Sequence, residues 1–397
     1  MRSVELFAGG GGLALGLSRA GFRHEAVVEL EKNACKTLRA NKERGVAHVA
    51  DWPIHAEDVA AFSFSGIASD VDLLAGGVPC QPFSAAGKAH GQADKRNMFP
   101  AMTRAVRELS PKAVLIENVK GLMRPGFEPY LNYVKDELRF PEIERRAGEG
   151  WADHHRRLHN HAQSARRAGL EYEVHCHLVN AADYGVPQWR ERVLLVAFRR
   201  DLEIEWELPA ATHSVEALLW SQCRTADYWE RHGLSRRTPA ASTSRFESRR
   251  AALGQLKLLP DKRLPWRTTR DAFVGLLALD EGDVAEGDPN HFLNPGARTY
   301  PRHTGSPLDE PAKTVKAGSH GVPGGENTVA LDNGQTRYFS VRECARLQTF
   351  PDDWIFEGVW SRAMRQVGNA VPVDLAQIVA GSMRRALMRA GKQQRVA

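Results

Sequence analysis

Over its first 120 residues the chain switches repeatedly between short apolar, β-branched runs and helical patterns, and that alternation leaves few folds open. Ser3 to Phe7 reads as a strand, a glycine run follows, and Leu13 to Ala20 carries helical periodicity closed by Gly21. Ala26 to Leu30 is a second strand and Asn33 to Asn41 a second helix, with further buried-strand candidates at Val71 to Ala75 and Ala113 to Ile116. Strands that alternate with helices build a doubly wound, mostly parallel α/β sheet with helices on both faces. Arg192 to Phe198 supplies a later, strongly apolar strand.

Beyond residue 200 the pattern changes. From about Glu203 to Val329 the alternation is lost and Pro, Gly, Ser and Arg become frequent, which marks a smaller, loop-rich domain. Regular character returns at Ser340, and Pro372 opens a final helix expected to end near Ala390, with Lys392 to Ala397 as a frayed tail. The expected division is residues 1–202, an inserted domain over 203–335, and a return to the first domain over 336–397. The polar, His/Arg-rich stretch from Trp151 to Gly169 reads as an exposed helix or insertion with no evident function.

Composition narrows the class. With 42% hydrophobic residues and a net charge of only +6 over 397 residues, the chain is not disordered throughout. No run approaches the ~18 consecutive apolar residues of a membrane span, and the strand-like start (Val4, Leu6, Phe7) is unlike a signal or transit peptide. Five cysteines without a C-x-x-C pair argue for a reducing cytosol, and the histidines around His154 to His161 lack a zinc pattern, so no metal is expected. The surplus charge is uneven. Arg231 to Arg270 holds eleven Lys/Arg against Glu247 and Asp261, a local +9 that exceeds the whole chain's surplus. Such a patch suits a phosphate backbone, or equally a solvated surface arm.

Five segments carry candidate chemistry. Phe7-Ala8-Gly9-Gly10-Gly11-Gly12 follows a strand and precedes a helix, where glycines allow a sharp turn and close approach of a ligand. Glu29 ends the next strand, placed to accept hydrogen bonds from ribose hydroxyls; without a Gly-Lys-Ser/Thr sequence the loop reads as nucleoside-binding rather than as a P-loop, or as a plain connection. Cys80, in Gly77-Val78-Pro79-Cys80-Gln81-Pro82-Phe83-Ser84, follows a buried strand between two prolines, a setting for a nucleophile that Cys35, Cys176, Cys223 and Cys344 lack. Taken alone, a single cysteine is more often a small buried hydrophobe. Glu117, in Ile116-Glu117-Asn118-Val119, ends a strand, either as a proton donor in a cleft or as a salt-bridged cap. Arg190 and Arg192, in Gln188-Trp189-Arg190-Glu191-Arg192, share strand spacing and so one face, suited to an anionic or planar substrate. Gln366-Val367-Gly368-Asn369-Ala370-Val371-Pro372 leads into the last helix.

In this order these segments, with Arg342-Glu343-x-x-Arg346-Leu347-Gln348-x-Phe350-Pro351, resemble the S-adenosylmethionine-dependent DNA (cytosine-5)-methyltransferases, over roughly residues 1–200 and 335–390. The resemblance implies a Rossmann-like methyltransferase fold around an inserted target-recognition domain. It implies that Cys80 adds to C6 of a flipped-out cytosine, that Glu117 hydrogen-bonds N3 and the exocyclic amine, and that Arg190 and Arg192 hold the base. C5 then attacks the sulfonium methyl, and loss of the C5 proton and of Cys80 releases 5-methylcytosine and S-adenosylhomocysteine. The family pattern maps the cofactor onto Phe7, Ala8, Gly9, Gly11, Glu29, Asp58 and Pro79, with Asn369 and Val371 from the far end of the chain, so that the termini must pack together. Two departures, Glu5 and Glu31 where the family usually has Asp, are expected to keep the charge.

Duplex DNA is the implied partner, touched by Gln81 and Ser84 and read by a segment from Arg298 to Glu326 that includes Lys313, Thr314, Val315 and Lys316; a structural insertion is the alternative there. The resemblance further implies the modification half of a bacterial restriction system, cytoplasmic and nucleoid-associated, with a restriction endonuclease acting on the same site. Two other readings stand beside it. An RNA substrate, as in the tRNA-methylating branch, lacks that branch's Cys-Phe-Thr signature here, and a catalytically silent DNA binder would have no need of Cys80, Glu117 and Arg192.

Overall fold

The computed structural model describes residues 1–67, 70–79, 97–164, 169–235, 246–256, 261–279, 286–297, 305–317 and 327–396. Two compact units result. The first comprises Met1–Val179, Glu191–Pro209 and Ala376–Ala397, and the second Asn180–Arg190 and Ala210–Leu375. The second unit thus extends beyond the span 203–335 at its C-terminal side and gathers in residues 180–190.

The first unit is built on a seven-stranded sheet in the order β3-β2-β1-β4-β5-β7-β6. Its strands are β1 (Arg2–Leu6), β2 (Arg23–Glu29), β3 (Ile54–Ala56), β4 (Leu73–Gly77), β5 (Ala113–Val119), β6 (Tyr172–Asn180) and β7 (Glu191–Arg199). β1 to β5 pair in parallel, and β7 runs antiparallel to β5. Helices α1 (Gly12–Arg19), α2 (Lys32–Glu43), α3 (Phe99–Leu109) and α4 (Glu128–Arg139) occupy the crossovers. Alternate β1 side chains serve opposite faces, as strand geometry requires. Val4 and Leu6 join a core with Met102, Val106, Tyr133 and Val134 of α3 and α4. On the other face Ser3 Oγ lies 3.0 Å from Nδ1 of His24, whose Nε2 donates to Ala14 O of α1 at 3.0 Å. Gly76 is a packing necessity, because a Cβ there would meet the Leu6 carbonyl oxygen at 2.9 Å across β1 and β4. The closing helix α12 (Val373–Val396) begins one residue after Pro372 and runs through the expected frayed tail. Its later part belongs to the first unit, and a Cβ on Gly21 would lie 3.1 Å from Arg384 Nε.

The His/Arg-rich stretch is helical, as α5 (Trp151–Ala162), but it is not an exposed insertion. Its apolar spacing buries Leu158 completely, and His154 is buried against α4. There the Tyr133 hydroxyl lies 2.7 Å from Glu137 Oε1 and 3.0 Å from His154 Nδ1, while His154 Nε2 donates to Ile143 O at 2.7 Å. A hydroxyl has one proton. With His154 carrying its own proton on Nε2, both contacts are satisfied when Glu137 is protonated. Burial acts in the same sense, raising the Glu137 carboxyl from its ordinary 4.5 to about 7. The folded state therefore binds the extra proton between those values, and its stability from this group is full below pH 4.5 and is lost as pH rises to 7. Glu137→Gln, which keeps the shape without the titration, is expected to gain stability relative to the wild type as pH rises through that window. Parallel denaturant melts at pH 4.5, 6 and 7.5 read this directly, and a difference that stays constant with pH refutes it.

The second unit has little regular structure. β8 (His213–Ser214) pairs with β9 (Leu264–Pro265), and β10 (Ser306–Pro307), β11 (Thr328–Ala330) and β12 (Thr336–Tyr338) form a small sheet. Short helices α6 (Val215–Trp220), α7 (Asp227–Arg231), α8 (Glu247–Gly254) and α9 (Thr269–Phe273) surround an aromatic core of Tyr228, Trp229, Phe246 and Trp266. Helices α10 (Val341–Leu347) and α11 (Trp360–Asn369) complete it, α10 opening on a Ser340–Glu343 capping box. Among the described residues, several cations of the basic stretch are paired in place. Arg231 pairs with Asp271 at 2.9 Å, Arg263 with Asp261 at 2.8 Å, and Arg270 with both Asp309 (2.6 Å) and Asp332 (2.9 Å). Lys262 and Arg267 remain exposed.

Candidate active site

In the first unit the chemistry-bearing residues lie along one edge, the carboxyl ends of the parallel strands. The order of the sheet reverses between β1 and β4, and open α/β sheets bind ligands at such a point. The turn leaving β1 is sharply wound: Phe7, Gly9 and Gly11 all have positive φ, at 58°, 54° and 90°. Phe7 adopts a conformation that costs a non-glycine residue energy, whereas Gly9 takes its own freely and leaves open space where a side chain would stand. Ala8 N–H donates to Val28 O at 3.2 Å. Glu29, at the end of β2, accepts from Gly9 N–H at 2.7 Å through one oxygen and from the amides of Leu30 and Glu31 at 3.0 and 2.7 Å through the other.

The loop and Glu29, twenty residues apart in sequence, are thus one hydrogen-bonded unit. Asp58, two residues past β3, is exposed, and its Oδ1 accepts from Ala60 N–H at 2.9 Å. Leu30, beside Glu29, is 62% exposed.

The two acidic departures take different parts. Glu31 is the N-cap of α2 and accepts from Ala34 N–H at 2.8 Å. Glu5 is fully buried, and that burial, reinforced by Glu29 and opposed by the Ala14 backbone, holds its carboxyl well above the usual range. Burial at this position disfavours the charged form.

On the other side of β1, Gly77 of β4 aligns with Glu117 of β5, and a Cβ on Gly77 would stand 3.7 Å from Glu117 Oε2. Asn118 Nδ2 donates to Val78 O at 3.2 Å, tying the strand ends together where Pro79 lies half-buried. Because β7 is antiparallel, its first residues arrive at this same edge, Arg192 opposite Val119. Arg192 Nε donates to Glu117 Oε1 at 2.7 Å with both side chains buried, and its NH1 donates to Glu191 O at 2.8 Å. Just outside, Lys120 Nζ bridges both Glu191 oxygens at 2.8 and 3.0 Å. Cys80, Gln81 and Ser84 lie outside the described residues, as does Arg298.

Arg190 does not share a strand face with Arg192. It precedes β7, belongs to the second unit and is fully buried. Its guanidinium donates to Val315 O at 3.0 Å, Gly368 O at 2.8 Å and Ala370 O at 2.9 Å. Such a group organises main chain; it does not face solvent as an anion receptor. Val315 is likewise 0% exposed, with its N–H donated to Gln188 Oε1 at 2.9 Å, so its side chain packs and is closed to a base edge. Thr314 Oγ1 donates to Trp189 O at 2.7 Å. Of the four named residues in that segment, Lys316 is exposed and Lys313 half-buried. Asn369 is exposed at the end of α11, and Val371 is buried. Gln188 and Gln348 are both fully buried, and Gln188 Nε2 donates to Leu347 O at 3.1 Å and to Gln348 Oε1 at 3.2 Å. Among the described residues no three His, Cys, Asp or Glu side chains are placed to hold a metal ion, and no helix is long and apolar enough to cross a membrane.

With this geometry in place, comparison with known proteins is decisive. The family model for C-5 cytosine-specific DNA methylases matches residues 1–140 and 151–385. The chain belongs to this family. It is 32% identical to the Type II methyltransferase M.Eco47II of Escherichia coli, over 96% of this chain and 78% of that protein. It is 31% identical to M.NgoMIV of Neisseria gonorrhoeae, over 97% of each. The solved Dnmt2 methyltransferase of S. pombe shares the fold, with a TM-score of 0.53 and 17% identity over 98% of this chain and 99% of that one. The enzyme is therefore a DNA (cytosine-5)-methyltransferase built on the Rossmann-like sheet described above. The family match omits residues 141–150 and resumes at the first residue of α5.

Proposed function

We propose that this enzyme methylates C5 of a flipped-out cytosine within a specific duplex sequence, as the modification enzyme of a Type II restriction system in the bacterial cytoplasm. The buried Glu117–Arg192 pair beside the end of β4 carries the reading. A base-facing carboxylate needs a fixed rotamer, and the 2.7 Å contact supplies one. The donor set at the neighbouring loop fits S-adenosylmethionine. Glu29 offers a carboxylate to ribose hydroxyls, Asp58 an acceptor to an amino group, and Leu30 an apolar surface to a purine. Carboxylates with no lysine in the loop favour a sulfonium over a phosphate. Phe7, Ala8, Gly9, Gly11 and Pro79 would line that site.

S-adenosylmethionine supplies an electrophilic methyl group when bound. Cys80, as thiolate, adds to C6 and raises the electron density at C5, Glu117 holds N3 and the exocyclic amine, and Arg192 keeps Glu117 in register. Loss of the C5 proton then lets the Cys80 sulfur leave. The base has to leave the duplex first, at a cost of a few kcal/mol that pocket contacts offset. Arg190 serves by fixing main chain. Residues 203–335 act as the target-recognition domain, with Arg298, Lys313, Thr314 and Lys316 toward DNA, Gln81 and Ser84 near the flipped base, and a restriction endonuclease cutting the same sequence.

The test is transfer of labelled methyl from S-adenosylmethionine to duplex DNA, tRNA and no acceptor in parallel, with bisulfite sequencing of DNA from a host that expresses the chain. One short motif methylated at one cytosine is the expected result. Label in tRNA alone would overturn the substrate.

A further inference from the structure

Glu117 and Arg192 meet near the end of a ladder, where strands are least well held. Val119 and Arg192 form the last rung between β5 and β7. Beyond it the two chains part. β5 passes into a 3-10 turn, Lys120–Met123, and β7 begins at Glu191, the residue at which the chain re-enters the first unit from the second. A terminal rung opens more readily than a central one, because fewer contacts hold it. The placement of Arg192 is therefore only as firm as whatever closes that end.

Lys120 closes it. Its Nζ bridges both Glu191 carboxylate oxygens at 2.8 and 3.0 Å, one residue past the last rung on both strands. The lysine springs from anchored main chain, since Leu122 in the same turn is fully buried in the core of the first unit. Glu191 in turn touches Arg192 through its main chain: its carbonyl accepts from Arg192 NH1 at 2.8 Å, while Arg192 Nε donates to Glu117 Oε1 at 2.7 Å. Glu117, Lys120, Glu191 and Arg192 thus close one loop of covalent, hydrogen-bonded and ionic links, all within the first unit. The Lys120 side chain is 57% exposed, and an exposed ion pair contributes little to folding stability, so the effect of this one falls on geometry.

We propose that Lys120 is a positioning residue for methyl transfer: by holding Glu191 it keeps Arg192, and through Arg192 the Glu117 carboxylate, in the geometry that meets the target base. This rests on the reading above that Glu117 holds the cytosine ring. Misplacing a catalytic group by about 1 Å costs about 10²-fold in rate, and an opened terminal rung moves the pair by less, so a loss of about tenfold is expected without Lys120. The other use for an exposed lysine on a DNA-acting enzyme is a phosphate contact, which has a different kinetic signature.

The experiment measures single-turnover methyl transfer at saturating S-adenosylmethionine and duplex, duplex Kd as a function of salt, and melting temperature. The proteins are the wild type, Lys120→Met, Lys120→Arg and the charge swap Lys120→Glu/Glu191→Lys. Lys120→Met should lower the rate constant about tenfold at full reaction amplitude, with melting temperature, duplex Kd and its salt slope unchanged. A merely structural role would lower amplitude and melting temperature instead, and would overturn the proposal. Lys120→Arg and the charge swap should both return to within about threefold of the wild type; a swap as slow as Lys120→Met refutes the pairing. In a Glu117→Gln background Lys120→Met should cost nothing further, because its effect passes through Glu117, and a full second loss there overturns the proposal. Weaker duplex binding with a salt slope reduced by about 0.9 would assign Lys120 to a phosphate instead. Glu191→Gln, which removes the same pairing from the other side, is held to the same outcomes as Lys120→Met. A Glu117→Gln enzyme as fast as the wild type would overturn the reading of Glu117 itself, and this proposal with it.

Discussion

Cys80→Ser is expected to lower methyl transfer by about ten-thousand-fold or more while S-adenosylhomocysteine and duplex binding stay within a few-fold of the wild type. A serine hydroxyl in place of the thiol is a far poorer nucleophile at neutral pH, and removing the group that forms the covalent bond removes the route rather than slowing one of its steps. Pro79 lies two residues past β4, whose last residue, Gly77, aligns with Glu117. Two readouts separate this role from a structural one. Turnover should vanish without loss of melting temperature, and a covalent complex with 5-fluorocytosine DNA, formed by the wild type, should be absent. A Cys80→Ser enzyme that still traps this DNA means the nucleophile lies elsewhere.

The second large effect is expected at Glu117. Glu117→Gln keeps the size of the side chain and removes the charge that Arg192 contacts at 2.7 Å. Two consequences follow, on different scales. Losing a preorganised group that meets charge developing on the base costs about 10²–10³-fold in kcat. Leaving a buried guanidinium without its counter-charge costs roughly 3–5 kcal/mol of stability when one partner of a buried pair is removed. Arg192→Met alone should destabilise comparably, by stranding the carboxylate, and the double variant Glu117→Gln/Arg192→Met should recover much of that stability without recovering activity. Urea melts and single-turnover methyl transfer on the same four proteins give both numbers. Additive stability losses in the double variant would show that the pair is not an energetic unit.

The Phe7–Gly11 turn, Glu29 and Glu117 sit at strand ends, and a strand end is announced by a local change of period. Partners from distant segments left no such trace. The +9 surplus of Arg231 to Arg270 suited a phosphate-binding patch and a solvated arm equally, and it includes Arg270, which Asp309 and Asp332 take up. A window of sequence sums charges without knowing what stands opposite them. Arg190 and Arg192 have the spacing of two residues on one strand face, but β7 begins between them at Glu191, and the chain enters a different unit. The buried side of α5 was hidden by histidine, which counts as polar in a pattern yet packs well when neutral. Val315 was misjudged by a different route, since a resemblance transfers a residue's label without its burial.

Unit boundaries carry a last consequence, one of timing. The sheet unit receives its closing helix only from residue 376 onward, whereas the second unit's main block, Ala210–Leu375, is continuous. At ribosomal rates of about 5–20 residues per second, the strands bearing the cofactor loop and Glu117 wait on the order of ten to thirty seconds while that block is made. During that interval Gly21 and its neighbours lack the helix that covers them, and the exposed apolar surface is open to chaperones and to aggregation. The continuous block can finish folding in the meantime. A nascent chain would thus have most of its second unit in shape before the sheet of the first is closed.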